Sequence, residues 1–134
     1  MTSREYTSQE KFVIGFVEAF EAADYEKMEG LLGDVVVSHI TNAEGNYDTV
    51  TGRAAYMQRV RAMNIPAVKP SLHICQIQMV GLDLVLVMVE VKARRYGETL
   101  HNFAAHLIEV KGGKISEMWM AEALPQYSDE FWKK

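Results

Sequence analysis

Between Val87 and Leu107 two long alternating stretches flank Tyr96-Gly97-Glu98, a pattern that an antiparallel hairpin satisfies and a helix does not. Val87, Val89, Val91 and Ala93 alternate with Met88, Glu90, Lys92 and Arg94. One face of this strand is therefore apolar and the other largely charged. Beyond the turn, His101, Phe103, Ala105 and Leu107 share a face, and two of these are not ordinary core choices. A mostly apolar sheet face carrying a few titratable groups is how a small protein builds a ligand pocket.

The rest of the chain supplies the cover for such a face. Thr7 and Glu10 have the spacing of a capping box. Phe12, Val13, Phe16, Val17 and Phe20 then recur at helical spacing. Asp24 caps a short second helix that carries Met28, Leu31 and Leu32 and closes at Gly33. Val35-Val36-Val37 is a short strand that delivers Ser38, His39 and Ile40 at its end. The stretch Thr41–Thr51, with Asn42, Gly45, Asn46 and Asp48, reads as a loop. A third helix is expected from about Gly52 to Met63, with Tyr56, Val60 and Met63 on one side. Pro66 and Pro70 bracket a linker, and four strands follow: Ser71–Val80, Leu84–Tyr96, Thr99–Val110 and Lys114–Glu122. Their connections are Gly81-Leu82-Asp83, Tyr96-Gly97-Glu98 and Lys111-Gly112-Gly113, all short enough for hairpins. Helices followed by a meander make an α+β domain with helices on one face of an antiparallel sheet. Strands this long need curvature, and a bent sheet around the first helix makes a cone with one open end.

Length and charge narrow the function classes. The 134 residues suit a single domain, 1–134, with one real core. A net charge of -4 with no basic stripe argues against a nucleic-acid surface. No apolar run approaches the roughly 20 residues of a membrane span and no signal peptide opens the chain, so a soluble cytoplasmic protein is the default expectation. The single Cys75, flanked by Ile74, excludes an internal disulfide framework and is expected to pack as a small hydrophobe. No His or carboxylate pair has metal-ligand spacing, and neither a phosphate loop nor a nucleophile elbow is present, so no metal or cofactor is expected.

The order of elements, a short strand ending in His39, the Gly52 helix start and the four-strand meander together resemble the NTF2-like fold. Within it the chain is similar to the SnoaL-like and ketosteroid-isomerase-like branch. The segments Ala93-Arg94-Arg95-Tyr96-Gly97-Glu98-Thr99-Leu100 and Ile115-Ser116-Glu117-Met118-Trp119-Met120, then Pro125 and Asp129-Glu130-Phe131-Trp132, carry the likeness. The resemblance implies one SnoaL-like domain: a cone-shaped, cystatin-like α+β roll whose curved antiparallel sheet, mixed at its edge, wraps around N-terminal helices. It also implies a homodimer built sheet to sheet. The isomerase's catalytic carboxylate falls on His39, its oxyanion tyrosine on Phe16 and its protonated aspartate on Ala105. Steroid isomerisation through a Tyr/Asp oxyanion hole, in which an apolar site keeps the acid neutral, is therefore not expected.

His39 is the leading catalytic candidate, as a general acid or base at the pocket rim; its bland alternative is a bond to a nearby carbonyl. His101, with Phe103 and Ala105, is placed on the concave face by that analogy. Arg95 could orient a carboxylate or phenolate there, or make a rim ion pair. Glu122, in phase with Met118 and Met120, either has a raised pKa or reaches solvent. Phe16, Phe20, Tyr56, Val89 and Val91 complete an apolar lining, and Tyr47 covers a ligand or packs on the surface. His106 is expected on the outer face with Met88, Ala104, Ile108 and Trp119, and the exposed Trp119 suggests burial by a second subunit. The leading expectation is a small-molecule pocket acting on an apolar organic substrate, as an isomerase, cyclase or dehydratase without a cofactor. The alternatives are a non-catalytic module for a lipophilic ligand and a dimeric scaffold with a filled cone.

Overall fold

The first helix begins where the sequence caps it. In the computed structural model, which describes residues 5–133, Thr7 Oγ1 accepts the Glu10 amide at 3.0 Å. The Glu10 carboxylate in turn accepts the Thr7 amide at 2.8 Å, completing the reciprocal pair. Helix α1 (Ser8–Glu21) turns Val13, Phe16 and Ala19 into the core. Asp24 caps α2 (Tyr25–Leu31), accepting the Lys27 amide, and the chain passes directly into β1 (Leu32–Thr41).

The polar stretch after β1 is only partly a loop. Asn42 Oδ1 accepts the amides of Glu44 and Asn46 and folds the tip. Strand β2 (Tyr47–Thr51) then pairs antiparallel with β1, Thr41 facing Tyr47. Turn-forming residues dominate the local composition, and the short edge strand carries too few apolar groups to announce itself. Helix α3 (Arg53–Ala62) follows, then the short α4 (Ile65–Val68) in place of the expected linker.

The meander comprises β3 (Ser71–Met79), β4 (Leu84–Arg95), β5 (Glu98–Lys111) and β6 (Lys114–Glu122), and α5 (Pro125–Trp132) closes the chain. The six strands form one sheet in the order β2-β1-β6-β5-β4-β3. The β1–β6 pair is parallel and the others antiparallel, so the architecture is α+β with a mixed sheet. Bulges interrupt the pairing at Ile74/Gln76, Glu109/Val110 and Leu32/Val37, and bulges bend strands. Cys75 occupies the first bulge and is exposed, not packed in the core as the flanking isoleucine suggested.

One turn sets the geometry of the site. Arg95 faces Glu98, so β4 and β5 are joined by two residues, Tyr96 and Gly97, with φ of 52° and 78°. Positive φ at both central positions is the requirement of the I′ hairpin turn. The ladder then runs without slippage from Arg95–Glu98 to Leu84–Glu109, always matching an odd-numbered residue with an even-numbered one. The main core lies between the helices and the inner sheet face, with Val13, Met28, Leu32, Met57, Val87 and Ile115 at its centre. A smaller cluster of Val68, Leu100 and Phe131 seats α4 and α5.

Candidate functional site

The inner sheet face, with α1, α3 and α5, encloses a cavity of about 280 Å³, near the lower end of small-molecule pockets. Ile40 on β1 and Leu72 on β3 both line it, although those strands would stand about 19 Å apart on a flat sheet. The sheet therefore curves around the cavity.

Directly opposed residues of a ladder share a face. Val91 faces Asn102, Val89 faces Ala104 and Val87 faces His106. Asn102, Ala104 and His106 accordingly line the cavity together with Val89 and Val91. His101, Phe103 and Ala105 stand on the other side: the first two are exposed, and Ala105 lines a shallow groove on the convex face. The phase of β5 implied by the family likeness is thus one residue out: the two-residue turn, with Arg95 facing Glu98, sets the opposite one. His101 instead makes a 2.6 Å contact with Glu90 on the outer face, and His106, Ala104 and Ile108 exchange the outer face for the inner one.

His39 also faces away. Ser38 and Ile40 are the β1 residues beside Met118 and Met120, which line the cavity, whereas His39 lies beside Trp119. Its ring stacks on that indole with centroids 5.5 Å apart, and Tyr47 meets it edge-on at 5.6 Å. Nε2 is 2.7 Å from Glu117 Oε2, and Nδ1 is 3.1 Å from Thr49 Oγ1. The imidazole is held among Trp119, Tyr47, Thr49 and Glu117 on the convex face, and His39 is also one of the residues that line the cavity. Arg95 is likewise occupied outside the cavity wall: its guanidinium donates to the Trp132 carbonyl at 3.3 Å and lies against Tyr96.

Among the polar side chains that line the cavity, four bear on its chemistry: His106, Glu122, Tyr56 and Ser38. His106, half-buried between Val87 and Met120 on the neighbouring strands, makes no hydrogen bond among the described residues. Burial pushes its pKa down to about 4, so the imidazole is neutral at pH 7. Glu122 faces Ala104 on β5. Burial raises its pKa; Ser128 opposes that shift through a 2.9 Å hydrogen bond, and Asp129 adds to it. Tyr56 on α3 stands 6.4 Å from Phe16, ring to ring, and burial raises its pKa so that the phenol keeps its proton. Ser38 Oγ is buried without a partner among the described residues. Asn102 is already committed: it receives the amides of Phe103 and Leu124 and donates to the Leu124 carbonyl, tying α5 to the sheet. At the rim Arg59 pairs with Asp48 at 3.2 Å, and the bonds from Asn42 and Arg59 lower the Asp48 pKa. Among the described residues, no three His, Cys, Asp or Glu side chains gather closely enough to hold a metal ion. Nor is any helix among them long and apolar enough to cross a membrane.

The family model for the SnoaL-like domain matches residues 13–118. This chain belongs to the SnoaL-like domain family. No curated protein matches it in sequence. Among solved structures, a SnoaL-like polyketide cyclase candidate from Shewanella putrefaciens superposes with a TM-score of 0.77 at 13% identity, covering 97% of this chain and 89% of that one. A LEH-like epoxide hydrolase from M. tuberculosis gives 0.74 at 17%, covering 90% and 87%. IdmH of Streptomyces antibioticus, a polyketide cyclase candidate, gives 0.72 at 16%, covering 93% and 99%. At these identities the likeness establishes the fold.

Within this SnoaL-like domain the isomerase positions need re-reading. The inward positions at the end of β1 are Ser38 and Ile40, and those on β5 are Asn102, Ala104 and His106, so neither stretch holds a carboxylate. Phe16 does line the cavity, as does Tyr56, whose ring stands 6.4 Å away. Phe20, Val89, Val91, Met118, Met120 and Glu122 line the wall as well. Residues that the sequence pattern missed are His106, Ser38 and Asn102. For His106 and Asn102 the signal was present in Tyr96-Gly97, since a two-residue turn alone fixes which β5 residues face Val87 and Val91.

Proposed function

We propose that this SnoaL-like domain is an enzyme that moves a proton on a small, mostly apolar organic substrate, with His106 as its base. The observation that carries this reading is a neutral imidazole, unpaired among the described residues, inside an apolar cavity. Its lone pair is free for a substrate C–H, and no described side chain competes for it. Glu122 is a diagonal neighbour on the same face, about 7–8 Å away between backbones. In its protonated form it returns a proton to another atom of the substrate. Tyr56 donates a hydrogen bond to the oxygen on which negative charge develops. The C–H bonding pair becomes an enolate and the proton rests on His106. Protonation by Glu122 at another carbon then gives the isomer. Attack of the enolate on a second carbonyl, whose oxygen takes the Glu122 proton, gives a cyclised product. Expulsion of a β-hydroxyl that takes that proton and leaves as water gives a dehydrated one. The His106 proton returns to Glu122 through solvent. Cyclase and hydrolase names among the structural neighbours accord with chemistry of this kind. The convex face, with Leu86, Leu107 and Trp119 in one row across the sheet, completes the reading as a homodimer surface.

The test is deuterium exchange at the acidic C–H of a bicyclic 1,3-diketone, 2-acetyl-1-tetralone, followed by mass spectrometry. Wild-type protein is expected to accelerate exchange, and His106→Gln to lose about 100-fold or more. Binding without acceleration would establish the non-catalytic module instead.

A further inference from the structure

Ser38 is 1% exposed, and its Oγ is the buried side-chain polar atom that lacks a hydrogen-bond partner among the described residues. It stands on the cavity wall beside Met118, with Ile108 on the next strand. Nothing in this apolar setting needs a hydroxyl, and an alanine would occupy the same space without an unsatisfied group. Main-chain pairing does not use it either, since the strand's own amides and carbonyls serve the ladders to β2 and β6. A buried polar atom on a cavity wall is matched by a polar group of whatever the cavity admits.

We propose that Ser38 Oγ is the recognition point for a hydroxyl or carbonyl oxygen at the leading end of an otherwise apolar ligand. A serine hydroxyl both donates and accepts, so it reads either group. His106 lies two strands from Ser38 and one residue pair nearer Glu122. That corresponds to about 12 Å between backbones on a flat sheet, less at side-chain tips on a concave one. A ligand held at Ser38 therefore lies across Met118 and Met120 and presents its other end to His106. Resting on the proton-transfer reading, this names the substrate class: a rigid molecule of about bicyclic size, with an oxygen at one end and the reacting carbon at the other.

The experiment compares 2-naphthol with 2-methylnaphthalene, which differ by a hydroxyl in place of a methyl group, by fluorescence titration of the full chain. Wild type is expected to prefer the naphthol roughly tenfold. Ser38→Ala is expected to melt no lower than wild type, to bind both probes and to lose the preference, while Ser38→Thr keeps it. Retention of the preference in Ser38→Ala overturns the proposal, as does its loss in Ser38→Thr. Equal binding of the two probes by wild type also overturns it, and means that water alone occupies the Ser38 hydroxyl. That outcome leaves the proton-transfer reading standing. The reverse holds if the naphthol preference depends on Ser38 while His106→Gln exchanges deuterium as wild type does: Ser38 then recognises a ligand in a cavity without the proposed base.

Discussion

Ser128 of α5 donates a 2.9 Å hydrogen bond to the Glu122 carboxyl, so the closing helix touches a titratable group of the cavity. Burial raises the Glu122 pKa above its ordinary 4.5 and Asp129 adds to the shift. The protonated form is the better tolerated one in the folded state. Its contribution to stability is present below the ordinary carboxylate range and is lost as pH rises through the raised value. Glu122→Gln has no such dependence. Its melting temperature relative to wild type is expected to climb as pH rises above the ordinary 4.5, as measured by thermal denaturation across a pH series.

His106 gives the opposite slope. Between its ordinary 6.5 and the folded value of about 4, the unfolded chain takes a proton that the folded chain refuses. Acidification through that window therefore pulls the equilibrium toward unfolding, by at most about 3 kcal/mol. Denaturant melts at pH 7 and pH 4.5 are expected to show the loss in wild type and to show much less of it in His106→Gln. An imidazole NMR titration places the proton directly, with a midpoint well below 6.

Gly97 adopts φ of 78° with nothing within 4 Å of where a side chain would begin. Alanine there meets no steric neighbour and incurs only the left-handed backbone cost, about 1 kcal/mol. Gly97→Ala is expected to lower the unfolding free energy by that amount while leaving 2-naphthol binding intact. Urea titration measures the first and fluorescence the second.

On the proposed dimer surface, Trp119 is 36% exposed and stacks on His39. A lysine here removes apolar contact area and sets like charges against each other across a two-fold axis. Sedimentation is expected to find wild type at twice the 15.2 kDa chain mass and Trp119→Lys at the single-chain mass. An unchanged mass for the variant removes Trp119 from the interface.

Much of the fold was legible because it rests on local chemistry. The Thr7–Glu10 cap, the Phe12–Phe20 stripe and the alternation from Val87 to Arg94 each specify their element without help from distant residues. What local chemistry did not show was β2, whose Asn- and Gly-rich approach reads as loop, and α5, which docks on β5 through the Tyr127 hydroxyl on the Thr99 carbonyl and through Asn102 on the main chain of Leu124 at its cap. The site was harder, because facing is a relation between strands. Met118, Met120 and Glu122 came out on the inner face from alternation within their own strand. His39 and His101 were assigned by likeness to other proteins, and a displacement of one residue puts a side chain on the opposite surface.

That displacement has a consequence for how such a protein diversifies. The two faces of β5 carry separate, complete sets of groups: Asn102, Ala104 and His106 inward, and His101, Phe103 and Ala105 outward. One residue inserted between Tyr96 and Gly97 would exchange the sets where the turn keeps two residues and the β5 ladder slips by one. The cavity would trade the His106 imidazole for that of His101 and gain the Phe103 ring without a substitution in either strand. Loop length at a distant turn is thus a heritable control on pocket chemistry. Two relatives differing there by a single residue are expected to take different ligands, however similar their strands.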